Sequence, residues 1–96
     1  MRPSAVLEQQ RDTIRSLVLQ AGMANPRVFG SVARGEDEDG SDLDLLIDPA
    51  PHTSLLKMAA LEAQLAAATG IKIDLRTPDE IHPRYRNRVL AEAASL

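Results

Sequence analysis

Cysteine and tryptophan are absent from this chain of 96 residues, which holds a single Phe and a single Tyr. The lack of cysteine excludes disulfide bonds, thiolate chemistry and cysteine-ligated zinc. The scarcity of aromatic residues means that the core must be built from aliphatic side chains. No apolar run approaches the roughly 20 residues of a membrane span, and no signal peptide is visible. These absences predict a small cytoplasmic protein that does not associate with a membrane.

An excess of basic residues is also missing. The chain has 11 Lys and Arg residues against 14 Asp and Glu residues, which gives a formal net charge of −3. A protein that binds nucleic acid nonspecifically has a basic face, so we expect no direct contact with nucleic acid. The length predicts one domain, residues 1–96, with a modest core.

Two aspartates, Asp42 and Asp44, stand two positions apart at the head of an apolar run, residues 43–47. In a strand, side chains at i and i+2 point to the same face. Two carboxylates side by side repel each other unless a cation lies between them. Hard oxygen ligands of this kind suit Mg²⁺, which takes its remaining ligands from water and from the phosphates of a nucleotide. The pair therefore predicts a magnesium site.

A Gly-Ser pair, Gly30 and Ser31, ends the short apolar run Val28-Phe29 upstream of the aspartates. Gly30 allows a backbone approach that a side chain would block. Ser31 is expected to open a short helix through Arg34, whose first N–H groups favour a phosphate. Arg34 can add a forked donor to the same anion. A phosphate cradle beside a metal-binding carboxylate pair is the arrangement that phosphoryl or nucleotidyl transfer requires.

Periodicity and turn residues divide the chain into alternating helices and strands. The predicted elements are a helix capped by Ser4 that runs to about Gln20, a turn at Asn25 and Pro26 followed by the strand Val28-Phe29, a strand over residues 43–47, a helix over 54–69, a strand over 71–75, a capping box from Thr77 to Glu80, and a last helix over 83–94 with Tyr85, Val89, Leu90 and Ala93 available for packing.

Apolar spacing in the second long helix predicts the core residues Leu55, Met58, Leu61, Leu65 and Ala68. The acidic segment over residues 36–40 is expected to be a solvated loop, with docking of a basic partner as the alternative. Strand, helix and strand in succession favour neighbouring parallel strands. Asp74 would then lie beside the Asp42 and Asp44 pair.

Gly30-Ser31, ten intervening residues and Asp42-Leu43-Asp44, with Arg34, Gly35 and Ser41 inside the gap, resemble the signature of polymerase-β-type nucleotidyltransferases. The small size is similar to that of the minimal nucleotidyltransferases, antitoxins that accompany toxins of the HEPN type. The resemblance covers residues 27–75 closely and the flanking helices loosely. It implies an α/β (α+β) fold with a small mixed sheet of three to four strands flanked by helices.

The resemblance also implies roles for individual residues. Asp42, Asp44 and Asp74 would be catalytic and would hold two Mg²⁺ ions, with Asp74 also helping to deprotonate the attacking hydroxyl. Gly30 and Ser31, supported by Arg34, would bind the β- and γ-phosphates of ATP. The acceptor would be a tyrosine of the HEPN toxin, which loses its ribonuclease activity when AMP is attached.

Simpler interpretations of the same residues remain open. Asp42 and Asp44 could pair with Arg27 or Arg34, and Asp74 could be a solvated charge at the end of a strand. Arg34 could form a structural salt bridge instead of a phosphate contact. The remaining candidates are expected to be ordinary structural residues: Lys72 as a charge partner, His52 and His82 as surface residues, and Tyr85 as a packing residue.

Three functions are compatible with these features. The chain could be an active antitoxin that adenylylates its partner, an antitoxin that only masks the toxin, or a nucleotidyltransferase for a small molecule of the aminoglycoside type. The short chain leaves little room for a domain that holds a small-molecule acceptor. We therefore expect a hetero-oligomer with the toxin, formed through the last helix or the acidic loop.

Overall fold

The computed structural model describes all residues, 1–96. Its elements in chain order are α1 (Pro3–Gln20), β1 (Ala24–Phe29), α2 (Gly30–Ala33), β2 (Leu43–Asp48), α3 (Leu55–Thr69), β3 (Ile73–Arg76), a 3₁₀ turn (Pro78–Glu80), α4 (Pro83–Glu92) and β4 (Ala94–Ser95). The strands form one sheet in the order β3-β2-β1-β4. The β2–β3 pair is parallel and the other two pairs are antiparallel. The predicted mixed α/β architecture is confirmed.

Strand β2 is buried on both faces, but by different helices. Leu43, Leu45 and Ile47 are fully buried in the larger core, to which α1 and α3 contribute Ile14, Val18, Leu61 and Leu65. Leu46 points the other way and packs with Phe29, Ile81 and Val89, the last of which belongs to α4. Because alternate residues of a strand share a face, Asp44 lies on the same side of the sheet as α4.

The beginning of α1 differs from the prediction. Arg2, not Ser4, occupies the N-cap position, and Pro3 is the first helical residue. The backbone amide of Ser4 donates to Oδ2 of Asp37 over 2.9 Å, and Asp37 is buried. The side chain that accepts from the first turn of the helix therefore comes from the acidic segment. That segment is exposed at its other acidic residues, so the prediction of a solvated loop is wrong at Asp37 alone.

The strand β1 begins earlier than predicted, and a fourth strand that was not predicted follows the last helix. Asn25 and Pro26 lie inside β1 and not in a preceding turn, and Asn25 has a positive φ of 54° where the pairing with β2 is irregular. The last helix ends at Glu92, and Ala94 and Ser95 pair with β1 as a fourth strand. Pairing with Val28 and Arg27 explains why the chain leaves the helix there.

Some apolar residues predicted to be buried lie at the surface. Leu55 is 82% exposed at the first turn of α3, and Ala68 is also exposed, while Leu61 and Leu65 are buried and Met58 packs at the edge of the core. Tyr85 and Leu90 on α4 are 44% and 40% exposed. The capping box at Thr77 and Glu80 is present as predicted. None of the helices combines the length and the apolar character needed to cross a bilayer.

Candidate active site

The parallel pairing of β2 with β3 brings carboxylates from two strands together. In the register of this pair, Asp44 is the direct partner of Asp74. Asp42 lies two residues before Asp44, immediately ahead of β2. The neighbouring strands expected from the strand-helix-strand order are therefore found, and three acidic side chains lie at the start of the β2–β3 pair.

The arrangement of the three aspartates clearly raises the pKa of Asp44. Burial is the largest of the effects that raise the pKa of its carboxyl to about 6, and the negative charges of Asp74 and Asp42 and a hydrogen bond to Asp74 act in the same direction. The positive charge of Arg76 opposes the shift. A carboxylate in this position favours either a proton or a cation.

Two cations of the chain partly neutralise the neighbouring acids. Arg76 Nε donates to Oδ1 of Asp74 over 3.0 Å, and Lys72 Nζ lies 3.6 Å from Oδ2 of Asp42. Lys72 is thus a charge partner, as expected. Sequence reasoning missed Arg76, although its position two residues after Asp74 in a strand indicates a shared face.

The alternative in which Asp42 and Asp44 pair with nearby arginines is not found. Arg27 binds Asp48 over 2.7 Å at the other end of β2. Arg34 donates to Glu92 over 2.9 Å and to Glu36 over 3.2 Å. These two hydrogen bonds, with Glu36 the stronger influence, raise the pKa of Arg34. Arg34 therefore forms the structural salt bridge, and its contact with a phosphate stays a prediction.

The Gly30 bend lies directly against Asp44. Gly30 has φ +71°, and a Cβ built on it would be 2.2 Å from Oδ2 of Asp44. A side chain at this position would displace the carboxylate, so only glycine lets β1 turn into α2 here. Ser31 follows within α2, a helix of four residues that Arg34 ends. The bend and the acidic side chains predicted from the sequence are therefore adjacent.

The carboxylate oxygens of Asp42, Asp44 and Asp74 are ligands of the type that a hard divalent cation prefers. The chain contains no group of three or more His, Asp or Glu side chains already arranged to hold a metal. Asp42 and Asp74 instead form salt bridges with Lys72 and Arg76, respectively. Burial first, and then the negative charges of Asp74 and Asp42, raise the pKa of Asp44, and carboxylate oxygens are the ligands that Mg²⁺ prefers. The donor set therefore fits Mg²⁺, which would replace Lys72 and Arg76 as the partner of these carboxylates.

Comparison with known proteins agrees with this geometry. Residues 7–96 match the family model described as a nucleotidyltransferase domain. The protein adenylyltransferase MntA of Thermococcus cleftensis is 38% identical over 71 residues, which are 74% of this chain and 72% of that protein. An inferred protein adenylyltransferase of Methanocaldococcus jannaschii is 34% identical over 80 residues, 83% of this chain and 86% of that protein.

Solved structures share the fold. A structure described as that of an inferred minimal nucleotidyltransferase superposes with a TM-score of 0.85 at 39% identity and covers 97% of this chain and 95% of its own. A toxin–antitoxin structure with AMP-PNP gives a TM-score of 0.76 at 20% identity over 88% of this chain and 69% of that chain. The fold is that of the minimal nucleotidyltransferases, and the chain belongs to the nucleotidyltransferase domain family.

Proposed function

We propose that this chain is a Mg²⁺-dependent protein adenylyltransferase that transfers AMP from ATP to a hydroxyl group of a partner protein. One observation carries the proposal. In a member of the nucleotidyltransferase family, the register sets Asp44 opposite Asp74, and the Gly30 bend touches Asp44. Similarity to the protein adenylyltransferase of Thermococcus cleftensis supports a protein as the acceptor.

In this mechanism the three aspartates, Asp42, Asp44 and Asp74, would hold two Mg²⁺ ions. When bound, the ions neutralise charge on the phosphates and stabilise the attacking and leaving oxygens. Asp74 accepts the proton of the acceptor hydroxyl, whose oxygen attacks the α-phosphorus. The bond from that phosphorus to the bridging oxygen breaks, and pyrophosphate leaves. Gly30 and Ser31, with Arg34, orient the β- and γ-phosphates.

The proposed acceptor is a tyrosine of a HEPN-type toxin, which would lose its ribonuclease activity on modification. Solved complexes of MntA with HepT have this fold in one of their chains. In this proposal the acceptor protein brings its own hydroxyl to Asp44 and Asp74. We therefore propose a hetero-oligomer of antitoxin and toxin, in which ATP is the nucleotide substrate.

A second function, neutralisation by masking alone, has one observation in its favour. Asp42 and Asp74 are each held by a cation of the chain itself, Lys72 and Arg76. Acids that are already neutralised in this way could serve stability without catalysis. The two functions predict different results when the acids lose their charge but keep their size.

The test is the intact mass of the protein encoded by the neighbouring gene, the proposed toxin, after incubation with this protein, Mg²⁺ and ATP. A gain of one or more AMP units is expected with the wild type and none with the D42N/D44N double variant. The same variant should fail to protect cells from the toxin. Asp12→Asn is the matched control, because Asp12 is exposed on α1, which packs on the face of the sheet opposite Asp44. Protection by the double variant would instead establish masking.

A further inference from the structure

A cavity lies between α2 and α4, outside the cluster of aspartates. It has a volume of about 420 Å³ and is lined by Arg34, Arg88 and Glu92. Its size falls within the range of about 300–1,000 Å³ that is usual for small-molecule sites. All three lining side chains are charged, which favours an ionic ligand over an apolar one.

The cavity lies on the same side of the sheet as the aspartates. Val89 of α4 packs on Leu46 of β2, and Leu46 shares its face with Asp44. Arg88 is the neighbour of Val89 along α4. Arg34 ends the single turn that begins at Gly30, so the cavity begins about 6 Å along the helix axis from the bend that touches Asp44.

The charges that line the cavity are not equally available. The guanidinium of Arg34 is shared between Glu92 and Glu36. Arg88 is exposed and forms no salt bridge and no side-chain hydrogen bond within the chain; its guanidinium lies 5.3 Å from the centre of the Tyr85 ring. Arg88 is thus the free cation of the cavity, and its planar fork matches two oxygens of a phosphate.

We propose that Arg88 is a second cationic contact for the phosphate tail of the nucleotide, in addition to Arg34. This inference rests on the proposed function, because it assigns the cavity to the β- and γ-phosphates of the same substrate. Glu92 keeps Arg34 in place on the cavity wall, so that the tail meets two guanidinium groups. Arg88 would bind the nucleotide and would take no part in proton transfer.

Arg84 offers a matched control on the same helix. Its guanidinium lies 5.8 Å from the centre of the Tyr85 ring, and it carries the same charge as Arg88 but does not line the cavity. If ATP binding were weakened only because α4 has less positive charge, Arg88→Ala and Arg84→Ala would weaken it equally. A loss caused by a direct contact would be confined to Arg88.

The experiment is calorimetric titration of the wild type, Arg88→Ala, Arg88→Lys and Arg84→Ala with ATP and with AMP in Mg²⁺. A charged hydrogen-bonded contact predicts that Arg88→Ala weakens ATP binding by about tenfold or more. AMP binding should be unchanged, Arg88→Lys should recover part of the loss, and Arg84→Ala should match the wild type. Thermal unfolding checks that the variants are folded.

The inference is overturned if Arg88→Ala binds ATP as the wild type does, loses ATP and AMP equally, or is matched by Arg84→Ala. It is also overturned if Arg88→Ala retains ATP binding and only weakens capture of the acceptor protein. If the wild type transfers AMP and Arg88→Ala binds ATP normally, the role of Arg88 is disproved but the proposed function is not. If the wild type transfers no AMP and Arg88→Ala selectively loses ATP binding, the proposed function is disproved but the role of Arg88 is supported.

Discussion

Gly30 and Asp44 are in contact without a side chain between them. The position that a Cβ on Gly30 would occupy is 2.2 Å from Oδ2 of Asp44 and 3.0 Å from its Cγ. The phosphate-binding bend and the proposed metal ligand are therefore parts of one close packing arrangement. A side chain added at Gly30 should consequently displace the carboxylate of Asp44.

We expect Gly30→Ala to disturb both folding and chemistry. The positive φ of +71° and the clash with Asp44 should together lower the free energy of unfolding by about 2–3 kcal/mol. AMP transfer should be lost, because the carboxylate must move. Gly22→Ala is the control, since Gly22 has φ +81° and no atom within 4 Å of a Cβ. Gly22→Ala should lower the free energy of unfolding by only about 1 kcal/mol. Equal losses for Gly30→Ala and Gly22→Ala in urea denaturation would contradict a close contact between Gly30 and Asp44.

The raised pKa of Asp44, about 6, predicts a pH dependence of stability. Because the folded pKa lies above the ordinary value of 3.8, Asp44 stabilises the fold when protonated, and this contribution is lost as the pH rises through 6. Asp44→Asn should therefore be more stable than the wild type at pH 7.5. With the discount for solvent screening at a partly exposed site, the gain is about 1–2 kcal/mol.

Urea denaturation of Asp44→Asn and the wild type without divalent cations, at pH 7.5 and pH 4.5, measures this difference. At pH 4.5, which lies between the ordinary pKa of 3.8 and the folded pKa of about 6, the difference should be well under half of that at pH 7.5. Asp12→Asn serves as the control, because Asp12 is almost fully exposed on α1. A stabilisation of Asp44→Asn that is the same at both pH values would show that the charge of Asp44 is not its source.

Arg76 should compete with Mg²⁺ for the acidic side chains. It binds Asp74 over 3.0 Å, so Arg76→Gln should strengthen Mg²⁺ binding at pH 8 by about twofold to fivefold. Lowering the pH through 6 should weaken Mg²⁺ binding in both proteins, since protons compete for Asp44. Calorimetric titration with MgCl₂ measures both effects. Lys57→Gln, which removes an exposed lysine from α3, should bind Mg²⁺ as the wild type does.

Local periodicity was enough to predict the features that organise the site. Spacing of two in a strand put Asp42 and Asp44 together, and the strand-helix-strand order brought Asp74 to them. The capping box after β3 was also a local pattern. The roles of Asp42, Asp44, Asp74, Gly30, Ser31 and Arg34 stay predictions, because geometry alone does not assign a reaction.

Features that depend on distant parts of the chain could not be predicted. Ser4 is the residue type expected at an N-cap, but its amide is bound by Asp37, 33 residues away. The strand β4 exists because it pairs with β1, about 67 residues earlier in the chain. Leu55 has the correct helical spacing for the core, yet it precedes the point where α3 meets the core. Only the tertiary arrangement decides these three cases.

Asp37 should matter for stability even though its acidic neighbours do not. Its buried carboxylate accepts from the Ser4 amide, and Arg2 donates to its backbone oxygen. Asp37→Ala removes the acceptor from the first turn of α1 and should cost about 1–2 kcal/mol in the free energy of unfolding at pH 7. Asp39→Ala is the matched control, because the Asp39 side chain is 79% exposed, and it should change stability by less than about 0.5 kcal/mol.

The effect of Asp37 should also fade in acid. The hydrogen bond from Ser4 lowers the pKa of Asp37 below its ordinary value of 3.8, although burial acts in the opposite direction. A depressed pKa means that the charged form contributes stability above pH 3.8, and that this contribution is lost as the pH falls through the folded pKa. Urea denaturation of the wild type and Asp37→Asn should therefore show a difference at pH 7 that shrinks below pH 3.8. A difference that persisted in acid would mean that Asp37 acts through the shape of the loop, and its charge would be irrelevant to the capping of α1.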